Sequence, residues 1–78
     1  MKLKMAIIHY RFLHSTDRKL VRFDGDGLSA AELRLAICKQ EGIRRNVIVL
    51  ADYQSYRVIS SWVPKNSYVI VLRFPKFL

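Results

Sequence analysis

Alternating apolar and polar residues predict two strands at the start of the chain. The first strand is expected over Ala6–Leu13, where Ile8, Tyr10 and Phe12 fall on one face and polar side chains on the other. A second alternating run covers Lys19–Asp24. The residues between the two runs include serine, threonine and aspartate, which are typical of a hairpin loop. The pattern therefore predicts a β-hairpin.

A capped helix is predicted directly after this hairpin. Gly25 and Gly27 give the backbone the freedom for a sharp exit from the second strand. Ser29 and Glu32 have the spacing of a capping box, in which each side chain accepts a hydrogen bond from the backbone of the other residue. These signals place a helix over Ala30–Glu41.

The helix should bury one stripe and end at a glycine. Four residues at helical spacing are expected to form the buried stripe: Ala30, Leu33, Ala36 and Ile37. Gly42 is placed to end the helix in the left-handed conformation. Cys38 is expected to pack in the core as a small apolar side chain.

The second half of the chain predicts two further strands and a short one. Asn46–Ala51 is rich in β-branched residues, and Tyr68–Phe74 is apolar on both faces, as a central strand would be. Residues 64–67 read as a turn. The segment between them is weakly patterned, with a short strand expected near Arg57–Ile59 and Trp62 expected in the core.

The order of these elements predicts the fold. Strand, strand, helix, strand, short strand, strand in 78 residues is the order of a ubiquitin-like β-grasp. We therefore expect an α+β fold in which one helix packs on one face of a mixed sheet of four to five strands. The first and last strands should pair in parallel at its centre. A chain of this length forms one domain, residues 1–78.

The net charge favours an anionic partner. Fourteen lysines and arginines against six acidic residues give a formal charge of +8. Such a balance suits binding to RNA or to an acidic protein surface. The basic residues are dispersed along the chain, however, and the alternative is a basic surface that only contacts solvent. The candidates for contacts to RNA or to an acidic partner are Arg11, Arg44, Arg45 and Lys76.

The composition argues against catalysis. A single cysteine and two histidines cannot build a zinc site, and no glycine-rich phosphate loop or nucleophile with a base partner is evident. No apolar run approaches the ~20 residues of a membrane helix. We therefore expect a non-enzymatic protein without metal, cofactor, small-molecule substrate or membrane contact.

Several segments carry a family resemblance. They read His-Tyr-Arg-Phe at 9–12, Val-Arg-Phe-Asp-Gly-Asp-Gly-Leu at 21–28, Ala-Glu-Leu at 31–33, Val-Pro-Lys-Asn-Ser-Tyr-Val-Ile-Val at 63–71 and Arg-Phe-Pro at 73–75. In these the chain resembles the DWNN domain, the ubiquitin-like module at the N-terminus of a eukaryotic family of pre-mRNA 3′-end processing factors. It departs from that family at 52–57, where an acidic stretch is usual.

The resemblance implies a docking role. Proteins of that family usually continue into a zinc knuckle and a RING finger, so this chain is expected to be an N-terminal fragment or a short form of a larger protein. Their ubiquitin-like module docks on the processing endonuclease within the cleavage and polyadenylation complex. The resemblance thus implies a non-catalytic, nuclear protein whose partners are subunits of that complex.

Two sets of residues are candidates for partner binding. The first combines Phe12, at the exit of its strand, with Arg73 and Pro75 at the end of the last strand. The second is the set expected on the sheet face that the helix leaves open: Tyr68, Ile70 and Leu72. An apolar patch framed by basic residues is typical of a protein-binding surface.

Two other functions remain open. A basic β-grasp module of the PB1 type would pair Lys2 or Lys4 with an acidic motif in a heterodimer. Direct RNA binding would use the positive charge together with exposed aromatic side chains, for which Tyr53, Tyr56 and Trp62 are candidates.

Overall fold

The computed structural model describes residues 5–44 and 48–74 of the chain. These residues form strands β1 (Met5–Phe12), β2 (Lys19–Asp24) and β3 (Gly27–Ser29), helix α1 (Ala30–Glu41), and strands β4 (Ile48–Asp52), β5 (Trp62–Pro64) and β6 (Tyr68–Arg73). Six residues named from the sequence lie outside the described residues: Lys2, Lys4, Arg45, Asn46, Pro75 and Lys76.

The main sheet has the strand order β2-β1-β6-β4. β1 pairs with β2 as an antiparallel hairpin and with β6 in parallel, so that Tyr10 lies opposite Val69 and Phe12 opposite Val71. β4 joins the other edge of β6 in antiparallel register. A parallel pair needs a long crossover, which the helix supplies. The central parallel pairing of the first and last strands is confirmed.

One face of this sheet and the apolar stripe of α1 enclose the core. Among the described residues nine large side chains are fully buried, and all of them except Ile70 belong to this core: Ile8, Tyr10, Leu33, Leu50, Val63, Val69, Ile37, Ile70 and Val71. The predicted stripe of the helix is largely confirmed, with Ala30 buried beside Leu33 and Ile37. Ala36 is only partly buried, and Cys38 takes the fourth buried position. Burial of each large aliphatic side chain contributes about 1.5–3 kcal/mol.

Both predicted caps of α1 are present. The Ser29 hydroxyl accepts a hydrogen bond from the Glu32 backbone N–H (3.1 Å), and the Glu32 carboxylate accepts one from the Ser29 N–H (2.9 Å). Gly42 adopts φ 69° and ψ 33°, and the Ile43 N–H donates to the Cys38 carbonyl (3.1 Å). The caps satisfy backbone groups that the helix itself leaves unpaired.

A second, two-stranded sheet departs from the sequence prediction. Residues 27–29, expected as a turn and cap, form β3 and pair with β5 at Trp62–Pro64. The Ala30 N–H also donates to the Ser61 carbonyl (2.6 Å), which joins this ribbon to the start of the helix. The strand expected near Arg57–Ile59 is instead a single bridge between Val58 and Ala51.

Trp62 is 55% exposed, so the prediction of a core tryptophan is wrong. The pleat of β5 explains the error, because it turns Val63 into the core and its two neighbours outward. The two glycines before the helix also differ in their role. Gly25 has φ +132°, whereas Gly27 provides space: a Cβ there would lie 2.5 Å from the Val63 carbonyl and 2.7 Å from the indole ring of Trp62.

We predict that Gly27→Ala lowers the free energy of unfolding by about 1–3 kcal/mol, the usual cost of overpacking. The added methyl group must push aside backbone at Val63 and the ring of Trp62. Denaturant unfolding measures the loss, and the fluorescence of Trp62, the single tryptophan, reports the displaced ring.

Gly25→Ala is the matched control, because its methyl group meets nothing within 4 Å and strains only φ. It should destabilise the fold without altering Trp62 emission in the folded state. An unchanged emission spectrum for Gly27→Ala would contradict the close packing of the indole on Gly27.

Candidate docking surfaces

The first candidate surface lies where β1 and β6 end side by side. A cavity of about 520 Å³ opens there, which we call the end groove. Its lining residues are Phe12, Leu13, His14, Ser15, Val71, Leu72, Arg73 and Phe74. The structure thus brings together three residues named from the sequence, Phe12, Leu72 and Arg73. Phe74 was missed as a contact residue, and it is 54% exposed.

Backbone pairing holds the walls of the end groove in place. The Leu13 N–H donates to the Val71 carbonyl (3.0 Å), extending the parallel pairing by one residue. The Ser15 N–H closes a turn onto the Phe12 carbonyl (3.0 Å). Phe12 is partly buried against the core, with its ring edge-on to Tyr10 at a centroid distance of 6.3 Å. Its position is therefore set before any partner arrives.

Arg11 fastens the loop that borders this groove. Its Nη1 atom donates to the carbonyl oxygens of Leu13 and Ser15, each at 3.2 Å, and to that of Phe12 at 3.4 Å. These hydrogen bonds from one arginine side chain therefore hold the loop in place. A contact of Arg11 with RNA or an acidic partner stays a prediction, and this nitrogen already serves the fold.

A polar cluster ties the hairpin to the end of the helix. The Tyr10 hydroxyl donates to Glu41 Oε2 (2.6 Å), and Lys19 Nζ lies 3.0 Å from Glu41 Oε1. Gln40 Nε2 donates both to the Tyr10 hydroxyl (3.0 Å) and to the Leu20 carbonyl (3.2 Å). Because Tyr10 packs on Phe12, the cluster indirectly positions the end groove.

The cluster shifts the pKa of both acidic members. The hydrogen bond from Tyr10 lowers the pKa of Glu41, helped by Lys19 and opposed by partial burial. Burial raises the pKa of Tyr10, and the Glu41 carboxylate beside it raises it further. The protonated phenol and the ionised carboxylate are therefore the stable pair at neutral pH.

The second candidate surface is the sheet face that α1 does not cover, which we call the open face. Val69 and Val71 belong to the core under the helix, so Tyr68, Ile70 and Leu72 point to the other side. The three residues thus share this face, but Ile70 is 0% exposed. Its cross-strand neighbours Arg11 and Ala51 flank it on both sides. Ile70 therefore packs within this face and offers no surface for contact with a partner. This corrects the binding role predicted for it from the sequence.

Tyr68 is the centre of an aromatic cluster on the open face. The Tyr53 ring stacks on it with centroids 4.4 Å apart and planes 10° from parallel. The Arg18 guanidinium carbon lies 4.9 Å from the Tyr68 centroid, and the His9 ring stands edge-on at 6.4 Å. The sequence predicts separate contact roles for Tyr53 and Tyr68 and none for Arg18, because the three residues come from separate segments.

Two cavities meet at Tyr68. One, of about 510 Å³, is lined by Arg11, Leu13, His14, Ser15, Thr16, Arg18 and Tyr68. The other, of about 400 Å³, is lined by Asp52, Tyr53, Gln54, Ile59, Trp62, Val63, Pro64, Ser67, Tyr68 and Val69. The turn that carries Tyr53 is held by the Asp52 carboxylate, which accepts hydrogen bonds from the Gln54 and Ser55 N–H groups, both 2.9 Å. These bonds lower the pKa of Asp52.

The remaining candidates add little to either surface. Arg44 is exposed just after the helix.

Within 5–44 and 48–74 no group of three or more His, Cys, Asp or Glu residues is placed to hold a metal ion. No helix in that part of the chain has the length and apolar character to cross a membrane. The heterodimer alternative depends on Lys2 or Lys4 and stays a prediction.

One helix packed against a mixed sheet with a central parallel pair defines a ubiquitin-like domain of the β-grasp type. The family model of the DWNN domain matches residues 8–75, and the chain belongs to this family. DWNN domains are ubiquitin-like interaction modules and are typically non-catalytic. No curated protein matches the chain.

We predict that Glu41→Gln lowers the free energy of unfolding by about 1–2 kcal/mol at pH 7, because it removes an ionised hydrogen-bond acceptor. The folded-state pKa of Glu41 lies below the ordinary value of 4.5. Its stabilisation is therefore present above that pH and is lost as the pH falls through the folded-state pKa. Denaturant unfolding of both proteins should show the difference shrinking from pH 7 towards about pH 3.

Glu32→Gln is the control, since glutamine also completes a capping box. It should change stability little at either pH. A difference between wild type and Glu41→Gln that is equal at both pH values would contradict the role given to the carboxylate.

Proposed function

We propose that this domain is a docking module of the pre-mRNA 3′-end cleavage and polyadenylation machinery and binds the processing endonuclease. Membership of the DWNN family supports the proposal, because the family's ubiquitin-like module docks on that nuclease. The partners would then be protein subunits of the cleavage complex, and the place of action the nucleus. In a longer natural chain, a zinc knuckle and a RING finger would follow.

The end groove is the observation that carries the proposal. Its lining includes a partly buried aromatic ring, Phe12, and an exposed one, Phe74, together with the exposed Arg73. Aromatic and arginine side chains dominate the binding energy of protein interfaces, particularly around a preformed apolar cavity. The groove would take an apolar side chain of the nuclease, with an acidic residue close by to pair with Arg73.

The backbone around the end groove also suits a docking role. The end groove lies at the ends of two paired strands, whose pairing holds Phe12 opposite Val71. A preformed surface loses little conformational entropy on binding. Such a module contributes affinity and orientation to its partner and performs no chemistry itself.

We predict that Phe12→Ala weakens binding to the endonuclease by about 2 kcal/mol or more, the loss typical of a central aromatic contact. Arg73→Ala should also weaken binding, and because Arg73 is exposed it should leave stability nearly unchanged. Calorimetric titration of the purified nuclease with the 78-residue chain measures both effects.

Leu35→Ala is the matched control, an exposed apolar residue on α1 and outside the end groove. It should bind as wild type. Unchanged binding by Arg73→Ala together with a folded Phe12→Ala, Pro75→Gly variant would disprove the assignment. Pull-down of the wild-type chain with mass spectrometry should recover cleavage-factor subunits, and their absence would argue equally against it.

A further inference from the structure

We propose that the open face binds single-stranded RNA, using the stacked Tyr53 and Tyr68 rings as the platform for a base. Tyr53 is 45% exposed and is the outer member of a pair whose planes are nearly parallel. Base stacking on aromatic side chains needs such a flat ring held at a fixed angle, and it tolerates any base. The platform is on a different face from the core and requires no rearrangement.

The two cavities beside Tyr68 give a strand a track to follow. Tyr68 lines both of them, so they adjoin at this residue. Their volumes of about 400 and 510 Å³ are in the range of small-ligand sites. A strand crossing the open face would therefore place one base on the exposed Tyr53 ring and a neighbouring nucleotide in the larger cavity beside Arg18.

A further exposed aromatic side chain lines the smaller cavity. Trp62 lines the smaller cavity together with Tyr53 and Tyr68, and it is more than half exposed. Its indole ring is seated against Gly27, where a Cβ would leave no room. The exposed part of a large aromatic side chain held in a fixed place suits contact with a base.

Charge selects a nucleic acid over other partners of an aromatic groove. Arg18 lies against Tyr68, and Arg11 and His14 line the same cavity in a chain of net charge +8. The ionised Asp52 carboxylate lines the other cavity, so the phosphates of the strand would lie on the Arg18 side of Tyr68. Arginines beside stacked rings suit a nucleic acid, whose phosphates pair with the arginines and whose bases stack on the rings. An acidic peptide would match only the charge.

Hydroxyl-bearing residues along the track favour RNA. Ser15 and Thr16 line the larger cavity and Ser67 the smaller one, and such groups can pair with a ribose 2′-hydroxyl. The choice of RNA over DNA also rests on the proposed function at pre-mRNA 3′ ends. The end groove and the open face involve different key residues, so the two proposals fail separately.

The test is a fluorescence-anisotropy titration of the 78-residue chain with a labelled RNA of about 12 adenosines and uridines. Tyr53→Ala and Tyr68→Ala should each weaken binding by about fivefold or more, while Tyr68→Phe, which keeps the ring, should bind as wild type. RNA should also quench Trp62 emission. Denaturant unfolding of each variant checks that it is folded.

Matched controls separate stacking and local charge from general attraction. Tyr56→Ala removes an exposed tyrosine outside both cavities and should leave RNA binding unchanged. Arg18→Ala should reduce the salt dependence of log K by about 0.7, the value for one phosphate contact on a single strand. Arg34→Ala removes the same charge from α1 and should leave that slope unaltered.

Four results would overturn the proposal. They are no RNA binding by the wild-type chain at low salt, full binding by both Tyr53→Ala and Tyr68→Ala, equal affinity for DNA of the same sequence, and binding of an acidic peptide but not RNA at this face. Loss of nuclease binding in the Phe12 and Arg73 variants with normal RNA binding would leave this inference standing.

Discussion

The parallel pairing of β1 with β6 is the constraint on which the rest of the structure depends. It joins residues that lie about sixty positions apart, with Phe12 opposite Val71 and His9 opposite Tyr68. One register therefore determines both surfaces. The strand ends meet to form the end groove, and the aromatic cluster lies a few residues away on the other face. Because the contact is so distant in sequence, the chain must order its helix and hairpin to form it.

Much of the scaffold was predictable because its signals are local. The alternation over Lys19–Asp24, the capping box of Ser29 and Glu32, and Gly42 each act within a few residues, and each has the structure that the sequence predicts. The central position of β6 was also predictable from the apolar side chains on both of its faces. The face of Tyr68 then follows from Val69, which is under the helix.

The candidate surfaces were only partly predictable, because each depends on segments that meet in space. The burial of Ile70 depends on its neighbours Arg11 and Ala51, which no local pattern joins to it. The exposure of Trp62 depends on β5 pairing with a strand that reads locally as a turn. Phe12 and Arg73 were found together because the sequence predicted their strands to be neighbours, whereas nothing in it paired Arg18 with Tyr68.

The loop Leu13–Ser15 has a thermodynamic consequence. Its residues border both the end groove and the larger cavity of the open face, and a single atom, Nη1 of Arg11, holds its carbonyls. A ligand on either surface that shifts this loop alters the free energy of binding on the other. By reciprocity the coupling has the same size in both directions. The hairpin loop is thus the place where two recognition events on one small domain would become cooperative or mutually exclusive.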